Sequence, residues 1–317
     1  MISLVFVIAT AVLIGLLIFL ARLLKPLPGS QANDRRLIWW RRFRIFVGLG
    51  LLAILLCAIW ATLIEPNRLV VRQQTIRIDN WPAELRGLKI AAIGDIHTGS
   101  PFVDEKKLRA IVDLTNQQSP DLIVLLGDFM TANTWHGHRV EAEVTAGVLK
   151  DLRAPLGVYA VLGNHDWWEG GEKVRQALES NGIRVLDEEV AEVHWRNGSF
   201  WLIGFADLWT RPQHIPETIR LVPPGAVTIG LTHNPDIFIH MPRSMPLMLA
   251  AHTHGGQVKL PLIGTPIVPS YFGPRYTAGH VMEEGRHMFI TTGIGTSILP
   301  VRFRVPPEIA ILTIESN

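Results

Sequence analysis

Residues 88–97 have the sequence LKIAAIGDIH, in which a short run that is apolar except for Lys89 ends in Gly94 and is followed by Asp95 and His97. A mainly apolar run of this length indicates a strand buried on both faces, as in a parallel sheet. In open α/β sheets, ligands bind beyond the carboxyl ends of the strands. The stretch therefore predicts a buried strand that delivers a carboxylate and an imidazole to a ligand site.

The same arrangement occurs twice more along the chain. Residues 122–128 (LIVLLGD) and residues 158–166 (VYAVLGNHD) are apolar runs that end in glycine and then present residue types that bind metals. Helical patterns at residues 104–115 and 140–152 separate the runs. Strands that alternate with helices predict βαβ units with a parallel sheet.

The second half of the chain contains more strands than helices. Asn197-Gly198 indicates a hairpin. Further apolar runs precede Thr232-His233 and His252-Thr253-His254, and two others lie at residues 288–292 and 309–314. Together the two halves predict an α/β fold for residues 88–317, with two packed mixed β-sheets flanked by helices.

Five strand ends thus carry residue types that can bind metal ions. A Gly-Asp pair alone is usually a turn and a lone histidine is usually a packing residue, so only the joint pattern is informative. Five of the twelve histidines lie in it. The candidate metal ligands are Asp95, His97, Asp128, Asn164, His233, His252 and His254.

This ligand set suits hydrolysis of phosphate esters. Two divalent ions can clamp a phosphoryl group and activate water, and Asp128 is the candidate for a carboxylate that bridges them. Mixed imidazole and carboxylate ligands favour Mn, Fe or Zn over Mg or Ca. His165 and Asp166 are candidate catalytic residues: His165 could protonate the leaving group, and Asp166 could tune it.

These motifs resemble the calcineurin-like metallophosphoesterases in order, spacing and strand-end context, over about residues 88–314. The resemblance implies that Asp95, His97 and His254 hold one metal ion and that Asn164, His233 and His252 hold the other. It also implies that Asp128 bridges them and that His165 is catalytic. Ala251 stands where the family usually has glycine, which places the local backbone geometry in question.

A narrower likeness comes from Gly255-Gly256-Gln257-Val258 and from the segment that begins at Gly293-Ile294-Gly295. Both look like the membrane-associated bacterial branch of that family. The branch includes enzymes of the cell envelope and hydrolases of a UDP-linked diacylglucosamine lipid precursor.

Two apolar runs without charges, residues 2–20 and 45–64, are long enough to cross a bilayer. They predict a membrane anchor of two transmembrane helices over residues 1–64, with residues 65–87 as a linker and lead-in strand. The first run could instead be a cleaved signal peptide, and the second a buried core helix. Flanking Trp39, Trp40 and Trp60 favour a span for the second. The single cysteine, Cys57, excludes an intramolecular disulfide.

Positive charge is concentrated in the predicted anchor. Residues 1–64 carry seven Lys/Arg against Asp34, a net +6 that leaves −4 for the rest of the chain. A nucleic-acid partner is therefore not expected. All seven lie between the two runs, so the positive-inside rule predicts a multi-pass inner-membrane protein with an extracytoplasmic catalytic domain. Arg41-Arg42 also resembles a twin-arginine export signal.

The sequence favours a membrane-anchored phosphohydrolase that acts on a phosphorylated small molecule or a lipid-linked phosphate of the cell envelope. One alternative is a UDP-2,3-diacylglucosamine-type pyrophosphate hydrolase in lipid A precursor synthesis, which requires a cytoplasmic domain. A second is a non-enzymatic membrane scaffold, against which the complete ligand set argues.

Two further sets of residues allow two interpretations each. The first could form a lipid-facing loop or pack in the core: Leu260, Ile263, Ile267, Val268 and Phe272. Arg302 and Arg304 could contact phosphate or be solvent-exposed strand cations.

Overall fold

The computed structural model describes Gly15, Ile18, Phe19, Arg22, residues 35–131 and residues 134–317. The chain divides into two compact units, Met1–Ile64 and Glu65–Asn317. The larger unit is an α/β sandwich. Its strands are β1 (Val70–Ile78), β2 (Leu88–Ile93), β3 (Leu122–Leu126), β4 (Val158–Val161), β5 (Arg184–Val185), β6 (Glu189–Trp195), β7 (Gly198–Gly204), β8 (Thr228–Leu231), β9 (Leu247–Ala250), β10 (Gly279–Glu283), β11 (Arg286–Ile290) and β12 (Glu308–Ser316).

Both sheets are mixed. In the first sheet the strand order is β1-β12-β2-β3-β4-β5, where only the β12–β2 pair is antiparallel. In the second the order is β10-β11-β9-β8-β7-β6, with antiparallel pairs at both edges. The central strands of each sheet are parallel, so their carboxyl ends lie at one edge.

The two sheets pack face to face. Ile90 and Val124 of the first sheet share one core cluster with Leu202 and Leu249 of the second. The neighbouring Ala91 and the other alternate residues of β2 and β3 point away from this interface into a second cluster. Because side chains alternate between faces, a strand buried on both faces is apolar along most of its length, as residues 88–93 are except for the partly buried Lys89.

Helices cover the outer faces of the sandwich. On the first sheet these are α2 (Glu105–Gln117), α3 (Ala142–Leu149), α4 (Asn164–Trp168) and α5 (Gly171–Glu179). The side chain of Asp104 accepts a hydrogen bond from the Lys107 N–H and caps α2. On the second sheet α6 (Ile215–Arg220) contributes Ile215 and Ile219 to the outer cluster. The predicted pair of mixed sheets flanked by helices is therefore confirmed.

The smaller unit contains α1 (Arg35–Ile59), which continues through short π- and 3₁₀-helical turns to Asn67. Within the described residues, the stretch Ile38–Asn67 is long and apolar enough to cross a membrane. Many of its large apolar side chains are exposed, unlike those of a core helix in a soluble protein. The first predicted span, residues 2–20, lies outside the described residues except for Gly15, Ile18 and Phe19.

Candidate metal centre

The seven candidate ligands are buried at the carboxyl ends of parallel strands. They follow β2, β3 and β4 in the first sheet and β8 and β9 in the second. The seven are Asp95, His97, Asp128, Asn164, His233, His252 and His254. Because the two sheets pack together, the ends of these strands meet, and residues far apart in sequence become neighbours.

One group of possible ligand atoms comes from Asp95, His97 and His254, and these atoms lie within 4.8 Å of one another. The Nε2 atoms of His97 and His254 are 3.1 Å apart. His254 Nε2 is also 3.6 Å from the Oδ1 atom of Asp95. Two imidazole nitrogens and a carboxylate oxygen at these separations can share one divalent cation.

A second group comes from Asp128, His233 and His252, again within 4.8 Å. His233 Nε2 lies 3.1 Å from His252 Nδ1 and 3.2 Å from Asp128 Oδ2. The same Asp128 Oδ2 is 3.5 Å from the His97 Nε2 of the first group. One carboxylate oxygen thus lies between the two groups, as a bridging ligand must.

Asn164 offers a further oxygen atom beside these two groups. Its Oδ1 atom is buried and has no hydrogen-bond partner among the described residues. Asn164 lines the same cavity as Asp128, His252 and His254. A buried polar atom without a partner is costly, and a bound cation would satisfy it. The donor atoms present therefore fit a pair of divalent cations.

The backbone of the candidate ligands is unusual. Five of them have positive φ angles, and for non-glycine residues this conformation is uncommon and costs energy. These five are Asp95 (49°), His97 (49°), Asp128 (57°), His252 (70°) and His254 (51°). Ala251, at the position where the family usually has glycine, is not among the residues with positive φ. Strain is thus concentrated where the side chains must converge.

Backbone carbonyl groups orient two of the imidazoles. His97 Nδ1 is 3.0 Å from the carbonyl oxygen of Met130, and His233 Nδ1 is 2.7 Å from that of Leu126. An Nδ1–H that donates to a carbonyl leaves Nε2 with its lone pair for a metal. In both residues Nε2 is the atom directed towards Asp128.

The electrostatics follow from burial and from Asp128. Burial lowers the pKa of His97 to about 3 and holds the pKa values of His252 and His254 well below the ordinary value. Burial also lowers the pKa of His233, but the Asp128 carboxylate outweighs this and raises that pKa to about 10. Burial raises the pKa of Asp95 to about 7. Three imidazoles are therefore neutral and able to bind a metal ion.

His165 borders both groups. Its side chain forms a third potential ligand group with His97 and Asp128, and the ring centroids of His97 and His165 are 4.6 Å apart. Its backbone N–H donates to Asp128 Oδ1 at 2.9 Å, which fixes the carboxylate whose other oxygen lies between the groups. The catalytic role of His165 stays a prediction.

Asp166 contacts the backbone of two loops. Its carboxylate accepts hydrogen bonds from the N–H groups of Asp128, Phe129 and Met130 at 2.8–3.1 Å, and from that of Gly163 at 2.9 Å. These bonds join the loop after β3 to the loop after β4. They give Asp166 a direct effect on the position of Asp128, whereas its tuning of His165 stays a prediction.

The loop Gly293-Ile294-Gly295 also supports the centre, a role that the sequence did not reveal. The Gly295 N–H donates to the Asp95 carbonyl oxygen at 2.7 Å. The fully buried Arg302 donates in turn to the carbonyl oxygens of Thr292 and Gly295. Neither interpretation of Arg302 from the sequence was right, because its guanidinium is used on backbone carbonyls. Arg304 is exposed.

Comparison with known proteins decides the family. Residues 88–256 match the calcineurin-like phosphoesterase family. The chain belongs to that family. It is 30% identical to the uncharacterized metallophosphoesterase YkuE of Bacillus subtilis, over 81% of this chain and 90% of the relative. It is 34% identical to the phosphodiesterase YaeI of Escherichia coli, over 71% of this chain and 81% of the relative.

A relative from Danio rerio, a transmembrane protein with metallophosphoesterase domain, is 29% identical over 76% of this chain and 56% of its own length. As a calcineurin-like phosphoesterase, the chain is a hydrolase of phosphoester bonds that uses divalent metal ions. The resemblance in the sequence is thereby confirmed, and with it the prediction of a metal-dependent enzyme.

Proposed function

We propose that the chain is a membrane-anchored phosphohydrolase with a dinuclear metal centre. Asp95, His97 and His254 hold one cation, Asn164, His233 and His252 hold the other, and Asp128 bridges them. The observation that supports this assignment is the position of Asp128 Oδ2, 3.2 Å from His233 Nε2 and 3.5 Å from His97 Nε2. When bound, two divalent cations would polarise the phosphoryl group of the substrate and activate a water molecule.

The protein's own groups position the Asp128 carboxylate and protonate the leaving group. His165 lines the same cavity as Asp128 and would protonate the leaving oxygen of a phosphoester. Its backbone N–H and the four hydrogen bonds of Asp166 keep the Asp128 carboxylate in one orientation. Such supporting contacts matter because small displacements of catalytic groups are costly.

Anchoring rests on the helical stretch Ile38–Asn67 and on the positive charge of residues 22–44. The relative described as a transmembrane protein supports it. The positive-inside rule then places the catalytic domain outside the cytoplasm, near phosphoesters of the cell envelope. An alkaline phosphatase fused to the C-terminus should be active, and an inactive fusion would contradict this topology.

A substrate panel tests the activity. Mn-loaded protein is assayed with a monoester, a diester and a UDP-linked lipid, and Asp128→Asn is compared with Asp113→Asn, which changes an exposed carboxyl. Loss of an outer-shell partner costs about 10–100-fold, so loss of the bridging charge should cost on the order of 10³-fold. Activity like that of the wild type in Asp128→Asn would refute the bridging assignment.

A pyrophosphate hydrolase for a UDP-linked lipid remains the second candidate, because Ile263 and Ile267 are exposed and do not pack in the core. Partly buried Phe272, by contrast, packs against the core cluster of the second sheet. Release of UMP from the lipid by the wild type, but not by Asp128→Asn, would favour this candidate.

A further inference from the structure

The cavity above the candidate metal centre has a polar floor and an apolar wall. Its volume is about 350 Å³, within the range of small-molecule sites. The floor consists of Asp128, Asn164, His165, His252 and His254. The wall consists mainly of Trp168, Trp209, Ile267, Pro269 and Ile298, and the remaining lining residues are Thr253, Gly256, Gln257 and Ser297. The centre accounts for the floor, but hydrolysis of a phosphate group gives no reason for the wall.

Two tryptophans flank the centre, and each packs on one of its imidazoles. The Trp168 ring lies 4.9 Å from that of His165, and the Trp209 ring lies 4.3 Å from that of His252 at 88°. Their relative exposures are 53% and 43%. Large aromatic side chains held half-exposed at the mouth of a cavity are typical of binding sites.

Hydrogen bonds to a buried carboxylate hold the segment that carries Trp209. Asp207 is fully buried, and its Oδ2 atom accepts hydrogen bonds from the backbone N–H groups of Trp209 and Thr210 at 3.1 and 2.9 Å. Trp168 is the last residue of α4, the short helix that begins with Asn164 and His165. Both rings are therefore held in defined positions before a ligand arrives.

Aliphatic side chains form the rest of the wall. Ile267 and Ile298 are 77% and 71% exposed. Ile298 has a φ of 63°, which for a β-branched residue is an outlier that the surroundings must enforce. The Gln257 side chain provides that support, because its Oε1 accepts from the Ser297 N–H at 2.7 Å and its Nε2 donates to Leu299 O at 3.3 Å. Strain of this kind is expected at functional positions.

Charge limits what the cavity can accept. Among its described lining residues there is no lysine or arginine. Phosphate groups beyond the one at the metal centre would find no cationic side chain there, and phosphate recognition normally uses such groups. The cavity therefore suits a phosphoester with little charge, such as a diester, better than a polyphosphate.

We propose that Trp168, Trp209, Ile267 and Ile298 form a subsite for an alkyl or acyl chain attached to the phosphoryl group that is cleaved. The proposal rests on the proposed function and specifies its substrate class as amphiphilic phosphoesters. A flat aromatic group could stack on either tryptophan, but the aliphatic half of the wall favours a chain. Burial of each methylene should then contribute to binding.

A series of alkyl p-nitrophenyl phosphodiesters tests this. The methyl, butyl and octyl esters are compared below their micelle concentrations. Each hydrolysis adds water across the aryl P–O bond and releases p-nitrophenolate, the alkyl phosphate and, at alkaline pH, two protons. The leaving group is the same in all three esters, so the ratio of kcat/KM for the octyl and methyl esters reports only on the alkyl chain of the substrate. We expect a ratio on the order of tenfold or more.

The variants Trp168→Ala and Trp209→Ala should each lower that ratio by roughly threefold to tenfold, whatever their effect on overall activity. Leu262→Ala is the matched control, because Leu262 is fully exposed on the same loop as Ile267 but does not line the cavity. A ratio near one in the wild type, an unchanged ratio in both tryptophan variants, or an equal decrease in Leu262→Ala would overturn the proposal. The last result would indicate that the octyl chain contacts exposed apolar side chains of this loop outside the cavity.

A binding experiment tests this proposal independently of the proposed function. Calorimetry compares methylphosphonate, phenylphosphonate and octylphosphonate with Mn-loaded protein. Tighter binding of the octyl compound that is lost in the tryptophan variants would support the subsite even if no ester is hydrolysed. In that case the proposed function would be refuted and the subsite would not. Equal affinities for all three, or a preference for the phenyl compound only, would contradict a chain-binding subsite.

Discussion

Single residues hold the candidate centre in a strained arrangement. Asp95, His97 and Asp128 have positive φ angles at the carboxyl ends of their strands, where their side chains converge. Hydrogen bonds to Met130 O and Leu126 O leave Nε2 of His97 and of His233 directed towards Asp128. A strained backbone persists only where neighbouring contacts enforce it, so the residues around the ligands matter as much as the ligands.

Asp166→Asn should destabilise the protein and weaken metal binding, although Asp166 is not a candidate ligand. The amide replaces one acceptor oxygen with a donor that faces backbone N–H groups, so part of the four-bond set is lost. We expect a loss of roughly 2–4 kcal/mol in the free energy of unfolding. Denaturant unfolding and metal titration measure both effects. Asp113→Asn is the control, and equal behaviour of the two variants would contradict the assignment.

Metal binding should release protons. Near neutral pH His233 carries a proton, since its pKa is about 10, and Asp95 is partly protonated, since its pKa is about 7. Both must be deprotonated to bind a metal ion. Metal affinity should therefore rise with pH, with more protons released below the pKa of Asp95 than above it. Calorimetry in buffers of different ionisation enthalpy measures the release, and heats that are independent of the buffer would argue against it.

Much of the candidate site is visible in the sequence at this scale, but its supporting residues are not. Glycine before Asp95, Asp128 and Asn164 marks the strand ends, because a turn must follow there. The buried role of Arg302 has no such signal, since its partners are carbonyl oxygens that any sequence provides. Trp168 could have been suspected from its closeness to His165, whereas Trp209 stands in a loop without a motif.

At the scale of elements, the carboxyl ends of the parallel strands form one face, and the loop Gly293–Gly295 closes against it. Apolar runs predicted β2, β3 and β4 because strands buried on both faces leave a local signature. The sequence did not predict β10, whose residues alternate between partly buried and exposed. The parallel pairing of β1 with β12 joins residues near the two ends of the unit Glu65–Asn317, and no local pattern encodes it.

Gly293→Ala should disturb the centre through this loop. Gly293 has a φ of +66°, and an added Cβ would lie 2.5 Å from the Asp95 Cβ. Gly285→Ala is a matched control, because Gly285 has a φ of +78° with nothing within 4 Å of the added atom. Both variants should lose about 1–2 kcal/mol to the left-handed backbone, and Gly293→Ala roughly 1–3 kcal/mol more to overpacking.

Metal titration should separate the same two variants. Gly293→Ala should bind the cation held by Asp95 more weakly than the wild type, while Gly285→Ala should bind it equally. Equal stability and equal metal affinity in both variants would show that the loop does not support Asp95.

At the scale of the whole molecule, an apolar helix precedes a catalytic sandwich of the calcineurin-like phosphoesterase family. Length and hydropathy alone predicted this helix, since crossing a bilayer requires about twenty apolar residues. A tethered enzyme meets substrates in or near the bilayer at high effective concentration. That property agrees with a cavity whose wall is apolar.

The full-length chain should behave as an integral membrane protein. It should stay with the membrane fraction in high salt and in alkaline carbonate and be released by detergent, because its helix would be inserted rather than adsorbed. Fractionation followed by immunoblotting measures this. Release by carbonate without detergent would indicate peripheral attachment instead.

In the proposed centre, distant segments of the chain enclose a pair of cations. Anomalous diffraction from crystals of the protein grown with Mn²⁺ tests it most directly. We predict two anomalous peaks about 3.5–4 Å apart, with Asp128 between them and one group of imidazoles around each. A single peak, or two peaks away from Asp128, would contradict it.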